Sequence, residues 1–239
     1  MSQAEWVLFF GDFKLSETVV VSWLIIAGLA LASYLLTRNL KKVPTSKVQI
    51  FLEFAVSSLN KMVIETMGEH TIKRMPNIVP YLGSLFLFFV CSNLIGLLGF
   101  RSPTTDLDTT LAWAMITFFM IYYAGIKFQG IGYFKGLLEP IPFLLPLNII
   151  GEVAKPISLS FRPFGNILGG AVIMALLYQF LGYLSSFIPV IGSIPIGQLI
   201  IPIPLHLYFD LFAGVLQAFI FLMLTMVFVG SAAEAEQRP

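Results

Sequence analysis

The sequence predicts an all-α integral membrane protein, with about five membrane-spanning helices plus one interfacial amphipathic helix, the last two spans long and tilted. Three observations predict it. Of 239 residues, 57% are hydrophobic and only 11% charged, against roughly 25% charged in an ordinary soluble domain. Long uncharged runs recur along the chain. Basic residues cluster at the same ends of successive runs, as the positive-inside rule requires. So few polar side chains cannot cover a water-soluble surface, which excludes a soluble enzyme, a disordered chain and a nucleic-acid binder. The net charge of +1 sets no bulk electrostatic bias. The single cysteine, Cys91, excludes an internal disulfide framework and any cysteine-based metal site. Residues 1–239 read as a single membrane domain embedded in the lipid bilayer.

The residues before the first run carry Glu5, Asp12 and Glu17 against Lys14, the wrong sign for the basic start of a cleaved signal. The first segment is therefore expected to remain as a span, 18–37. Runs at 77–100 and 109–126 supply two more, each close to or above the ~20 residues that cross ~30 Å of hydrocarbon. Arg38, Lys41, Lys42 and Lys47 follow the first run, Lys73 and Arg74 precede the second, and Lys127 and Lys135 follow the third. All belong in the cytoplasm, which leaves the N-terminus and the 101–108 loop outside and the C-terminal tail inside. Between the first two spans, Phe51, Phe54, Ala55, Leu59, Met62 and Val63 share one helical face opposite Lys47, Glu53, Ser57, Lys61 and Glu65. This amphipathic segment, 46–66, suits a helix lying in the interface.

The stretch EPIPFLLPLN, with Pro140, Pro142 and Pro146, reads as a broken connection. A long helix is then expected over 152–187, closed by IPVIGSIPIG. Another over 202–233 begins at prolines tolerated in a first turn. At ~30 residues, or ~45 Å, the last exceeds a perpendicular crossing and has to tilt or run partly along the membrane.

From 140 to 233 the only charged residues are Glu152, Lys155, Arg162 and Asp210, and a charge at membrane depth marks function by default. Arg162 is the sharpest case, because guanidinium cannot shed its proton. Neutralisation by an internal carboxylate such as Asp210 is the structural alternative. At ~100° per residue Arg162, Asn166, Gly169 and Gly170 fall near one face. Gly165 and Gly169 form a GxxxG spacing that admits a partner helix, or serves internal packing. His206, Asp210 and Gln217 align within ~40° on the last helix, with Gly214 between. Such a stripe faces protein or water, so it either lines an aqueous path or pairs internally. Glu152 and Lys155 stand three apart, either pairing near the cytoplasmic interface or marking access from that side. His70, in the charged GEHTIKR stretch, reads as solvated. No phosphate loop, HExxH or nucleophile elbow is present, so no catalytic chemistry, metal site or stably bound cofactor is expected in this chain.

The segments KPISLSFRPFGN (155–166) and LQAFIFLMLTMVF (216–228) resemble the membrane subunit a (subunit 6) of F-type ATP synthases, and NLIGLLGFRSPTTDLDTT (93–110) is similar to that family's loop after its third helix. The resemblance implies a stator that faces a rotating c-ring in the Fo sector, is held by peripheral-stalk b subunits, and sits in a bacterial plasma (inner) membrane. Two offset half-channels would let ions reach the ring carboxylate. Arg162 matches the family's essential arginine, Asn166 the polar residue one turn on, and Gln217 the glutamine beside the arginine.

Two departures stand out. Pro163 replaces the usual leucine after the arginine; it removes a backbone donor and is able to break the helix there. Ala171 occupies a position that is acidic or histidine in many proton-driven members, and Asp210 the place of the partnered histidine. This thinner set of titratable groups, with amides at Asn166 and Gln217 and the context GGAVI resembling sodium-dependent members, favours Na+ as the translocated ion, with H+ the alternative. Two rival classes fit less well. A secondary transporter would show internal repeats, which are not seen, and a structural scaffold would not need Arg162 at depth.

Overall fold

The computed structural model describes residues 6–8, 14–44, 46–139, 141–186, 198 and 200–234. A two-stranded antiparallel ribbon, β1 (Trp6–Leu8) and β2 (Lys14–Ser16), opens the chain, with Trp6 opposite Ser16. All else is helical or connecting: α1 (Glu17–Thr37), α2 (Lys47–Met67), α3 (Glu69–Arg74), α4 (Ile78–Leu94), α5 (Leu107–Gln129) and α6 (Leu145–Ser186). The chain ends in α7 (Pro202–His206), a π-helical segment (Leu207–Phe212) and α8 (Ala213–Glu234). Short 3₁₀ segments extend α4 (Ile95–Leu98), follow α5 (Gly130–Leu138) and lead into α6 (Pro142–Leu144). Among the described residues five stretches are long and apolar enough to cross a membrane: Glu17–Thr37, Ile78–Leu98, Leu107–Leu138, Pro142–Ser185 and Pro202–Ala233. The all-α membrane class expected from composition is the class observed.

Local chemistry sets the boundaries. Gly68, at φ +77°, takes the left-handed turn that separates α2 from α3. Asp106 caps α5, accepting the Asp108 amide, while its other carboxylate oxygen accepts the Thr18 hydroxyl at 3.0 Å. That bond ties the start of α1 to the start of α5 at one end of the bundle. At the other end Gln129 donates to the Ala232 carbonyl at 2.6 Å, joining the ends of α5 and α8.

Lipid tails are as apolar as leucine, so close packing rather than water exclusion holds such helices together. Small residues make the approach possible. A Cβ on Gly83 would stand 2.9 Å from Leu59 Cδ2, and one on Gly230 3.4 Å from Met67 Cα, so α2 lies directly against α4 and α8. Val63, Leu82, Ala124, Met226 and Val229 are fully buried there. A second cluster joins α1, α4, α5, α6 and α8, with the Phe89 and Phe221 rings stacked at 4.3 Å.

Two expectations are corrected in α6. The helix begins at Leu145 rather than 152, because Pro146 falls in a first turn whose amide needs no partner. Nor does Pro163 break it. Pro156 and Pro163 both lie inside one continuous 42-residue helix with their rings buried. Each removes one helical hydrogen bond, and packing along α5 and α8 maintains the course despite it. A helix of this length rises ~63 Å, about twice the hydrocarbon core, and must run obliquely. The stretch IPVIGSIPIG and the tail beyond Glu234 lie outside the described residues. Gln198 donates to the Tyr178 carbonyl at 2.9 Å, so the chain returns to α6 before α7 begins.

Candidate functional site

The middle of α6 has two unlike faces. Arg162 is exposed and forms no ion pair or hydrogen bond with the described residues. The alternative in which Asp210 neutralises it is not what the fold adopts. On the same outward side a Cβ added to Gly165 or Gly169 would meet none of the described residues within 4 Å. Phe161, Leu168, Val172 and Leu176 are exposed around them. Gly170 turns the other way: its added Cβ would stand 3.3 Å from Phe209. The four residues that a helical wheel puts near one face are thus divided between a bare surface and a packed one.

Around the π-helical turn a second set of polar groups, each partly exposed, comes together. His206 Nδ1 is 2.6 Å from Asp210 Oδ2, and His206 Nε2 is 3.1 Å from the Tyr178 hydroxyl. A neutral imidazole satisfies both contacts, donating from Nδ1 to the carboxylate and accepting from the phenol. Tyr178, His206 and Asp210 therefore form a hydrogen-bonded row from α6 across α7 to the π turn. Asp210 then opens onto a cavity of about 250 Å³, lined also by Asn93, Arg101, Asn166, Gly170 and Gly214. A polar space of this size has room for several waters.

Two amides position its wall. Asn166 donates to the Ala213 carbonyl at 3.5 Å and Asn93 to the Gly214 carbonyl at 2.6 Å, on successive residues just past the π turn. Asn93 accepts from the Thr104 hydroxyl at 2.6 Å, and Ser102 bonds both Thr104 and the Ser92 carbonyl. This buried network clamps the 101–105 loop, and Arg101 with it, over the cavity.

Gln217 is only 5% exposed, and its Nε2 has no hydrogen-bond partner among the described residues. A regular wheel aligns it with Asp210. The π segment widens the helix between them and rotates the turns beyond it, and Asp210 faces the cavity while Gln217 is packed. At the opposite half of α6, Glu152 and Lys155 pair at 2.5 Å, with Lys155 Nζ 5.9 Å over the Phe228 ring. Glu152 keeps one buried carboxylate oxygen, Oε2, without a partner among the described residues. His70 is exposed, with its ring edge-on to Phe128 at 5.7 Å.

An exposed arginine beside two open glycines, backed by a polar cavity, is the geometry to set beside known proteins. The family model described as ATP synthase A chain matches residues 19–230. The chain belongs to that family. It is 37% identical to the sodium ion specific ATP synthase subunit a of Propionigenium modestum, covering 94% of this chain and 76% of the relative. It is 34% identical to the chloroplastic subunit a of Oedogonium cardiacum, over 94% of this chain and 85% of that one. With ATP synthase subunit a 3 of Pelobacter propionicus it shares 37% identity, over 92% and 89%. Family membership makes the chain an integral membrane, ion-translocating component of the Fo sector, with the c-ring among its partners.

Sequence reasoning placed Arg162, Asn166, Asp210 and His206 in the site but did not single out Asn93, Arg101 or Tyr178. Arg101 carried a signal, being a lone cation in the 101–108 loop. Tyr178 carried none, since its partner lies 28 residues away and is set by the return of the chain.

Proposed function

We propose that this chain is the stator of a bacterial F-type ATP synthase and that the Arg162, Gly165 and Gly169 face of α6 is the surface past which the ring turns. The observation that carries this reading is the exposed Arg162, without a partner among the described residues, beside glycines that leave room for another helix. In a water-poor interface its fixed charge attracts each arriving ring carboxylate, favours release of the bound ion and bars direct leakage between access paths. The cavity lined by Asp210, Asn166 and Arg101 serves as the outer half-channel. The Glu152–Lys155 region marks inner access. The N-terminus lies outside and the C-terminus in the cytoplasm of the plasma membrane, as the basic flanks favour, and peripheral-stalk b subunits hold the chain against ring torque. Catalysis resides elsewhere in the complex.

Sodium is the coupling ion in this reading, supported by the amides that wall the cavity and by similarity to a sodium ion specific relative. One observation favours protons: Tyr178, His206 and Asp210 form a continuous row of titratable groups. The test uses the whole complex in proteoliposomes at fixed pH, with sodium varied from trace to millimolar. ATP synthesis that rises with sodium and survives a protonophore supports the first reading. Synthesis indifferent to sodium and collapsed by the protonophore supports the second. Failure of every ion gradient to drive synthesis in an assembled complex would contradict the stator role itself.

A further inference from the structure

Away from the Arg162 face, α4 and α5 leave a groove open to the bilayer. Two cavities occupy it. One, of about 300 Å³, is lined by Asn77, Ile78, Tyr81, Met120, Tyr123 and Lys127. The other, of about 500 Å³, is lined by Ile26, Leu29, Tyr81, Leu85, Phe88 and Trp113. Tyr81 belongs to both, so the two lie end to end. α1 closes only part of the second, because it reaches the bundle through Thr18, Val21 and Ile25 near its start and leaves Leu31, Leu35 and Leu36 exposed.

The groove has a polarity gradient along its length. At one end the Lys127 ammonium donates to the Tyr123 hydroxyl at 3.3 Å and lies 5.3 Å over that ring. Asn77 is exposed beside it, and among the described residues no carboxylate lines either cavity. The other end is apolar apart from hydroxyls, and finishes at Trp113. From Lys127 to Trp113 α5 rises ~21 Å, the thickness of one leaflet with its headgroup layer, half of ~40–45 Å. A partner helix, 10–12 Å across, needs far more room over this length than cavities of about 300 and 500 Å³ provide; an alkyl chain does not.

We infer that this groove binds one phospholipid with an anionic headgroup. Lys127 and Asn77 take the phosphate, and one acyl chain passes Tyr81 to end against Trp113 and Phe88. The positive charge selects an anionic lipid over a zwitterionic one, since each lysine at such a surface contributes about 1 kcal/mol, or about fivefold. The ligand is a lipid rather than free phosphate because most of the groove is apolar.

The test uses the purified whole complex in nanodiscs containing photoactivatable phosphatidylglycerol or phosphatidylcholine, with labelled peptides mapped. Phosphatidylglycerol is expected to label α4 and α5 between Tyr81 and Trp113 in preference to phosphatidylcholine. Lys127→Gln should cut that label about fivefold and leave the phosphatidylcholine label unchanged. Ser84 lines the apolar cavity as well, so Ser84→Phe, which fills that end, should lower both labels. Co-purification of each variant chain with the whole complex at normal stoichiometry on native gels shows that it is folded, and the result does not depend on how ions cross. Equal labelling by both lipids with no effect of Lys127→Gln would overturn the inference. So would displacement of the label by millimolar inorganic phosphate, or a cross-link in the groove to another protein subunit instead of lipid.

Discussion

Gly169 and Gly170 are adjacent in sequence and opposite in circumstance. A side chain at Gly170 would press on Phe209, whereas one at Gly169 would meet none of the described residues within 4 Å. Gly170 is explained by the chain itself: it lets the π turn seat against α6. Gly169 has no such explanation among the described residues, and neither has Gly165 or Arg162 beside it, which has no partner among them. A small residue that packs against its own chain serves the fold; one that faces open space beside a cation at membrane depth serves something that comes from outside. That contrast separates the part of α6 that builds the cavity from the part that the proposed function leaves for the ring.

The largest expected effect comes from removing the outward charge. Arg162→Ala should abolish ion-driven ATP synthesis while the complex still assembles, as native gel electrophoresis and synthesis in proteoliposomes would reveal. Normal rates would erase the distinction between the two faces. Gly170→Leu should destabilise the complex by about 1–3 kcal/mol through overpacking against Phe209, read as a lower thermal midpoint. Gly169→Leu should change stability by less than ~0.5 kcal/mol and yet depress synthesis by obstructing the ring. Equal stability losses at the two sites would show that both glycines are internal.

Smaller effects probe the cavity side. Tyr178→Phe removes one hydrogen bond to His206, so transport should slow about fivefold, in line with ~1 kcal/mol; an unchanged rate would take Tyr178 out of the row. In a background lacking Cys91, a cysteine at 210 should react quickly with a small water-soluble thiol reagent, and one at 217 slowly. Fast labelling at 217 would mean that water reaches past the packed α8 surface.

The spans were legible because an uncharged run of twenty residues has few other uses. Arg162 and Asp210 were legible because isolated charges in such runs are costly. The features that stayed hidden have identifiable causes. A wheel assumes one unbroken helix, and the π segment at Leu207–Phe212 violates it, so Gln217 parts from Asp210. Pro163 looks like a break in sequence, but a buried proline inside a packed helix is not one. The start of α6 was misplaced because three nearby prolines resemble a loop, although one of them suits a first turn. The ribbon of β1 and β2 has only three residues per strand, too few for alternation to register.

The central claim is that the face carrying Arg162, Gly165 and Gly169 meets the ring and that Gly170 does not. A photo-cross-linking amino acid placed at 169 in the intact complex measures this most directly, with 170 as the internal comparison. Irradiation should join position 169 to the ring subunit, and position 170 to this chain's own Phe209 region. Cross-links from 169 only to lipid or to this chain, with the ring captured from 170 instead, would contradict the account.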